Sequence, residues 1–450
     1  MKIPNWISTN VLNVFTDHSR AYISNTITKQ IHWLNSFSSD IWYLISQGKS
    51  YKEILNFAVS KEIEKKELDK FIRELKNLNL IKNNRNVKQN KRSSITLIGD
   101  TNFKNETKKI LTEWAELNIQ ENKLSSILFD TTYRCNENCL HCYCDKTDIK
   151  TEIKFKEIKQ IIDEAYELGI TKITFTGGEC TLIKDFYKIC KYVRKKRIEL
   201  IIFTNGQKFY DEPELLDKII NLYPYMIGIS LYSMNPDIHD KITGVKGSWN
   251  KTISIIKRLL DSNILVEIKC FLTKYNANSY KDIIKFAKQN NCQLAIDSNL
   301  LANKENNNFS ASITDEQLEK FYKFAYENNL TQKSIKIDED FLSDIPCQAG
   351  HTTIGIKPNL LVTTCPNGNV ILGDLKKKTL KELWEKTENN RTLTKWRKFK
   401  NEDFKDCFKF SYCIYCDFCP LKVSNKKSKK MLCNTAKTKM RAVIENVSRL

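Results

Sequence analysis

Ser126-Ile-Leu-Phe-Asp130-Thr-Thr-Tyr-Arg-Cys135-Asn-Glu-Asn-Cys139-Leu-His-Cys142 decides how this chain is read: a short apolar run, Ser126 to Phe129, opens into a loop that offers three cysteines. The run is one of six, followed by Lys172 to Thr176, Leu200 to Phe203, Met226 to Leu231, Val266 to Leu272 and Gln293 to Ile296. Stretches of helical period lie between them: Thr151 to Leu168, stopped by Gly169, then Lys184 to Lys196, Glu212 to Leu222, Trp249 to Asn263 and Ser279 to Gln289. Six β/α repeats predict an α/β fold whose parallel sheet wraps into a partial (β/α)6 barrel. Reactive groups then collect at the carboxyl ends of the strands, where the cysteine loop stands.

The 450 residues carry 73 Lys and Arg against 53 Asp and Glu and are 41% hydrophobic, an ordinary globular composition with room for two or three domains. No stretch reaches the roughly 18 uninterrupted apolar residues of a membrane-spanning helix. The start, MKIPNWISTNVLNVF, lacks the basic and then apolar layout of a signal peptide. A cytoplasmic protein is expected. Thiols stay reduced there, so the fifteen cysteines point to metal or cluster ligation rather than to disulfides. The formal charge of +20 invites nucleic acid, but it is spread in Lys-rich stretches along the chain and suits a solvated surface equally well. Nucleic acid is not the expected partner.

A 4Fe-4S cubane has four irons, so a loop of three thiolates, Cys135, Cys139 and Cys142, leaves one iron open to a small ligand. A zinc site would close with a fourth Cys or His. His141 sits between two ligands and is better placed to pack against a cluster, while nearby Cys144 keeps the zinc alternative open. Gly177-Gly178-Glu179 follows the second strand, Thr204-Asn205-Gly206 the third, and Ile229-Ser230-Leu231 ends the fourth. Glycines let a main chain approach a ligand and a carboxylate pairs an ammonium, although a Gly-Gly-Glu on its own would be a turn. Together these motifs resemble the radical S-adenosylmethionine superfamily. The resemblance implies that Gly177, Gly178 and Glu179 receive the methionyl amine of S-adenosylmethionine. It also implies that Asn205 and Ser230 lie among the polar strand ends that hold the carboxylate and ribose, with Ser230 at the ribose. His239-Asp240-Lys241-Ile242-Thr243-Gly244, with Gly247-Ser248-Trp249, is similar to a stretch common in one branch, and is also a loop and helix cap.

Cys347, Cys365, Cys407, Cys413, Cys416, Cys419 and Cys433 crowd the last third near the aromatic segment Trp396 to Tyr415. They resemble a SPASM domain, which carries two auxiliary 4Fe-4S clusters: Cys347-Gln-Ala-Gly and Cys365-Pro match its opening, and Leu380-Lys-Glu-Leu-Trp384 its bridging helix. Two positions depart. The glycine expected five residues before Cys365 is Leu360, and the cysteine expected shortly before Cys407 is absent, Glu402, Asp403 and Phe404 standing there. Cys419 is extra. The family's order implies Cys347, Cys365 and Cys416 on one cluster and Cys407, Cys413 and Cys433, with Cys419, on the other; a cysteine-rich zinc knuckle is the alternative. Cys180, Cys190, Cys270 and Cys292 lie in or beside barrel elements and read as small apolar residues.

Residues 1–85 read as a separate unit: a hairpin of Val11 to Phe15 and Ala21 to Asn25, then helices Ile27 to Leu34, Ser39 to Ser46, Tyr51 to Ala58 and Glu64 to Leu78. This winged-helix pattern resembles the peptide recognition element that precedes many radical S-adenosylmethionine peptide maturases, where an extended leader adds as a strand. The expected organisation is recognition element 1–85, linker 86–122 with a polar run beginning at Ile81, barrel 123–300, connector 301–345 and SPASM domain 346–450. The whole arrangement is similar to maturases of the subtilosin type, which join cysteine sulfur to an α-carbon in ribosomal peptides. It implies a precursor peptide with a leader and an electron donor such as flavodoxin or ferredoxin as partners. Three alternatives stand beside it: a maturase of a folded protein of the sulfatase-maturase type, another peptide modification (carbon-carbon crosslinking or epimerisation), and a non-catalytic metal protein that binds DNA through the winged helix.

Overall fold

The computed structural model describes residues 7–8, 11–17, 20–25, 31–34, 36–82, 118–144, 149–298, 308–328, 348–365 and 370–398. Its centre is one nine-stranded sheet in the order β12-β11-β10-β4-β5-β6-β7-β8-β9. β4 (Ser126–Asp130), β5 (Lys172–Thr176), β6 (Glu199–Thr204), β7 (Met226–Ser230), β8 (Val266–Phe271) and β9 (Gln293–Asp297) are the six expected parallel strands, adjacent in chain order. Helices Phe155–Glu167, Phe186–Lys195, Pro213–Ile220, Ser248–Asp261 and Tyr280–Gln289 connect them.

Strand residues alternate between two faces. Ile127 and Phe129, Ile173 and Phe175, Leu200 and Ile202, Ile227 and Ile229, and Ile268 and Cys270 pack into the helix-side core. The other face carries Asp130 paired with Thr176, Phe203 paired with Gly228, and Ser230 paired with Lys269. One face is therefore oil and the other is chemistry. Cys180, Cys190 and Cys270 are buried in or against the oily side and Cys292 is half-buried, as small apolar residues would be.

Beyond residue 346 the sequence shows only short irregular pieces, yet the structure adds three strands to the barrel's first edge. β10 (Thr353–Ile356) pairs parallel with β4, and β11 (Leu361–Thr363) and β12 (Ile371–Asp374) follow antiparallel. Three-residue and four-residue strands carry too little periodicity to be seen alone; they form because the open edge of β4 needs partners for its peptide groups. Helix Leu380–Glu385 docks beside them, with Leu380 N–H donating to Glu164 Oε2 at 2.6 Å and Trp384 Nε1 to the Asn122 carbonyl at 3.0 Å.

The N-terminal unit has its own core, from Val11 and Ile23 to Leu75, Leu80 and Ile81. β1 (Val11–Asp17) and β2 (Arg20–Asn25) form the expected hairpin, and helices Ser36–Ser46, Tyr51–Ser60 and Lys65–Asn77 match three of the expected four. The expected helix Ile27 to Leu34 is wrong in its described part: β3 (Ile31–Leu34) is a strand, antiparallel to β2. Four residues, three of them apolar, fit either period, and pairing with the edge of β2 decides the case. The polar run does not begin at Ile81, which is 2% exposed and bridges Ile7. Arg197, in the turn before β6, donates to the carbonyls of Ser8 at 2.7 Å and Ile7 at 3.2 Å, and so fastens this unit to the amino-terminal rim of the barrel strands.

Candidate functional site

The cysteine loop leaves β4 after Asp130 and is pinned from three sides. On one side, Gly178 N–H donates to the Thr132 carbonyl at 2.7 Å and Glu179 N–H to the Arg134 carbonyl at 2.9 Å. The glycines allow this closeness. Gly177 holds φ +122°, and a Cβ there would lie 2.5 Å from the Thr132 oxygen; one on Gly178 would lie 2.5 Å from the Arg134 oxygen. On the second side, Asn138 and Leu140 N–H donate to the carbonyls of Thr243 (2.8 Å) and Ile242 (3.0 Å), the end of helix Pro236–Thr243. On the third, the Arg134 guanidinium reaches Glu152 at 2.7 Å and the Leu182 carbonyl at 2.8 Å.

This gives the His239-to-Gly244 stretch a second role that the sequence does not show. Asp240 accepts from Gly247 N–H, Ser248 Oγ and Trp249 N–H, fixing the helix against the start of helix Ser248–Asp261. Gly244 ends the helix at φ +71°, and the carbonyls thereby exposed are the ones that clamp the cysteine loop.

Glu179 is 1% exposed and lies where strands β5 and β6 end. Its Oε1 accepts from Thr181 N–H (3.1 Å), Thr181 Oγ1 (2.6 Å) and Thr204 Oγ1 (2.7 Å), and its Oε2 from Asn205 N–H (2.8 Å). Desolvation raises its pKa while these donors oppose the rise. The Asn205 side chain donates to Asn136 Oδ1 at 2.7 Å and faces Cys135 Sγ at 3.9 Å, so the third strand's turn meets the cysteine loop directly. Ser230 ends β7 on the polar face, in register with Lys269, whose ammonium pairs with Glu267 at 3.0 Å.

His141 is stacked on Phe271 (centroids 4.9 Å apart, planes 2°) and meets Tyr232 edge-on at 4.6 Å. Burial pushes its imidazole down to about 4, leaving a neutral ring that packs. Cys144 is 3% exposed. Glu137, inside the motif, is 9% exposed; its Oε2 accepts from the Cys139 thiol at 3.4 Å and its Oε1 is buried with no hydrogen-bond partner. Desolvation pushes this carboxyl up to about 8.

Among the described residues no three His, Cys, Asp or Glu side chains converge tightly enough to hold a single metal ion. A cubane makes no such demand, because its three thiolates bind three separate irons. The residues fit the cluster and S-adenosylmethionine on the structure's own terms: three thiols on one loop, a glycine cradle that any Cβ would fill, and an unpartnered buried oxygen beside them. Of the C-terminal cysteines, Cys365 is buried at the end of β11 against Ala349 and Leu393. Cys347, Cys407, Cys413, Cys416, Cys419 and Cys433 lie outside the described residues.

Comparison with known proteins bears on the barrel. Residues 129–289 match the radical SAM superfamily. These residues are a radical SAM domain. It belongs to a superfamily of enzymes that use a 4Fe-4S cluster and S-adenosylmethionine. The domain is 27% identical over 175 residues to the Fe-coproporphyrin III synthase of Methanosarcina barkeri, covering 38% of this chain and 43% of that protein. It is 33% identical over 141 residues to the antilisterial bacteriocin subtilosin biosynthesis protein AlbA of Bacillus subtilis, covering 31% of each. The chain thus spans less than half the length of the curated relatives it matches. A crystal structure of Streptococcus suis SuiB bound to precursor peptide SuiA superposes with a TM-score of 0.52 at 15% identity, over 91% of this chain and 92% of that one, and shares its fold. No helix among the described residues is long and apolar enough to cross a membrane.

Proposed function

We propose that this radical SAM domain serves a maturase of a ribosomally made precursor peptide, forming bonds from cysteine sulfur to an α-carbon. The observation that carries the reading is the N-terminal unit: a three-stranded sheet in which, among the described residues, β1 and β3 each pair with β2 alone, fastened to the barrel by Arg197. An edge of such a sheet can take an extended leader as a further strand. The barrel by itself selects no substrate, since its relatives include a protein named for a porphyrin and one named for a bacteriocin. The likeness to AlbA and the fold shared with peptide-bound SuiB support the peptide. Units 1–85, 123–300 and 346–450 are accordingly assigned to leader recognition, radical generation and auxiliary clusters, with 86–122 and 301–345 as connections.

Cys135, Cys139 and Cys142 would hold the radical cluster, and Gly177, Gly178, Glu179, Asn205 and Ser230 would line the S-adenosylmethionine. When bound, these groups supply a 5′-deoxyadenosyl radical able to take a hydrogen atom from carbon. The chain's own part is to hold the loop, seat the peptide and exclude water. Closing a thioether removes the α-hydrogen atom, the thiol proton and one further electron. The late cysteines would hold the acceptor of that electron, which passes on to a donor-acceptor protein such as flavodoxin or ferredoxin.

The test is anaerobic reconstitution followed by incubation with a leader-bearing, cysteine-containing precursor peptide. The expected product has lost two hydrogens per bond. Deleting residues 1–85 should preserve S-adenosylmethionine cleavage while impairing peptide modification, and Cys135, Cys139 and Cys142 together replaced by Ala should abolish cleavage. Robust 5′-deoxyadenosine formation with every such peptide left unchanged would refute the peptide reading.

A further inference from the structure

We propose that the lysine face of helix Phe186–Lys195 guides an acidic stretch of the precursor peptide from the N-terminal unit to the cysteine loop. The inference rests on the reading that the substrate is a peptide. The helix joins the carboxyl end of β5 to the amino end of β6, so it runs the height of the barrel wall. Its two ends are tied to the two places a leader-bearing peptide has to reach. Just before it, the Leu182 carbonyl accepts from Arg134, the neighbour of Cys135. Just after it, Arg197 donates to the carbonyls of Ile7 and Ser8 in the N-terminal unit. Its ten residues span about 15 Å, a distance that about five residues of extended peptide cover.

The helix, FYKICKYVRK, holds no acidic residue. Lys188, Lys191 and Lys195 recur at the spacing of one helical face, Lys184 stands in the turn before them, and all four are exposed. Among the described residues none of the four joins an ion pair. The carboxylates of the neighbouring helix Phe155–Glu167 are engaged elsewhere: Glu157 accepts Lys154 N–H, Asp163 holds Lys159, Lys196 and the Tyr192 hydroxyl, and Glu164 accepts Leu380 N–H, leaving Glu167 at its last position. Lys188 lies over the Phe155 ring at 4.0 Å and Lys191 over the Tyr187 ring at 6.0 Å. A ring attracts an ammonium but carries no net charge to cancel it, so the row still lacks an anion. Alternate side chains of an extended peptide repeat every ~6.6 Å. Successive lysines rise by ~4.5–6 Å along the helix, and their flexible stems take up the difference. Helix Tyr280–Gln289 also exposes Lys281, Lys285 and Lys288, but Asp282 stands among them. Among the described residues no hydrogen bond ties either of its ends to the N-terminal unit or the cysteine loop. That makes it the matched control.

The experiment uses the full chain, reconstituted anaerobically, as wild type, Lys188→Glu/Lys191→Glu and the control Lys285→Glu/Lys288→Glu. The probe is an oligoglutamate of about ten residues, twice the length needed to span the helix, with a photoreactive group at its centre. Adducts are quantified and mapped by mass spectrometry. All three proteins should cleave S-adenosylmethionine at the same rate under dithionite, since the substituted lysines lie outside the site described above. Wild type should carry its adducts within residues 184–197, with a yield that falls as salt is raised. Lys188→Glu/Lys191→Glu should cut that yield at least about fivefold, equivalent to about 1 kcal/mol, and the control should stay within about twofold of wild type. Adducts spread over both helices, or an equal loss in the control, would overturn the proposal. So would an unchanged yield in Lys188→Glu/Lys191→Glu together with slower reduction by flavodoxin, which would make this face a dock for the electron donor. Cross-linking needs no radical chemistry, so the maturase reading fails separately, by precursor peptides left unmodified while adducts still map to this helix.

Discussion

Gly178→Ala is the most direct probe of how the cysteine loop is held. An added Cβ would lie 2.5 Å from the Arg134 oxygen and 2.7 Å from the Tyr133 oxygen, where ordinary contact begins at 3.4 Å. Both obstacles are backbone, so no side chain can swing aside, and the strand must part by about 0.9 Å. Parting weakens Gly178 N–H to Thr132 and Glu179 N–H to Arg134, each worth about 1 kcal/mol. Overpacking adds about 1–3 kcal/mol, and the stiffer unfolded chain returns about 0.4–1 kcal/mol. The net expectation is a loss of about 2–5 kcal/mol in urea unfolding of the metal-free chain. Because Arg134 directly precedes Cys135, iron uptake on reconstitution should fall as well. Gly247→Ala is the control: φ there is +81° and an added Cβ meets nothing within 4 Å, so it should cost about 1 kcal/mol of backbone strain and leave iron uptake unchanged. Wild-type stability and iron in Gly178→Ala, or an equal effect at Gly247, would refute the argument.

Asp240→Asn should lower stability by about 1.5–3 kcal/mol and reduce iron uptake, because Asp240 positions the helix whose last carbonyls hold Asn138 and Leu140; urea unfolding and iron analysis check both. Leu360 sits at φ +70° yet is 5% exposed in the barrel core. Leu360→Gly should therefore not stabilise but cost up to about 4 kcal/mol, since lost burial of about 2–5 kcal/mol at least offsets about 1–2 kcal/mol of relieved strain; an increase in melting temperature would contradict this. His239 is fully buried, accepts Tyr232 N–H on Nδ1 at 3.2 Å and has no partner on Nε2, and burial pushes it down to about 4. Its folded pKa lies below its unfolded value of 6.5, so the unfolded chain binds the proton first. Its contribution is complete above about pH 6.5 and is lost as pH falls toward about 4, with a slope of at most about 1.4 kcal/mol per pH unit. His239→Gln should flatten the dependence of unfolding free energy between pH 7 and 5; parallel curves would show that His239 protonates freely in the fold.

Much of the architecture was legible in the chain. Strong periodicity from Ser126 to Ile296 predicted six strands and the helices between them, because each repeat buries one apolar face and period reports that face directly. The cysteine spacing and the Gly-Gly-Glu were visible for a similar reason: a loop that would chelate a cluster and a turn touching a backbone restrict residue type at fixed offsets. Even Leu360, read as a departure from an expected glycine, marks a position where the structure does demand positive φ. The strand Ile31–Leu34 and the three strands at Thr353–Ile356, Leu361–Thr363 and Ile371–Asp374 were not legible, being too short to show a period.

The local sequence by itself determined which residues could ligate, which segments were strand or helix in the barrel, and where the chain turned. Only tertiary structure decided which acceptors were still free. Glu179 and Glu137 are both glutamates in conspicuous motifs, and nothing near either in the chain says that one is enclosed by donors from Thr181, Thr204 and Asn205 while the other keeps a bare oxygen. Likewise the carbonyls of Ile242 and Thr243 are ordinary peptide groups until the end of their helix is brought against Asn138 and Leu140, about a hundred residues earlier in the chain. Hydrogen-bond satisfaction is a property of neighbours in space, and a peptide oxygen carries no signature in its own side chain.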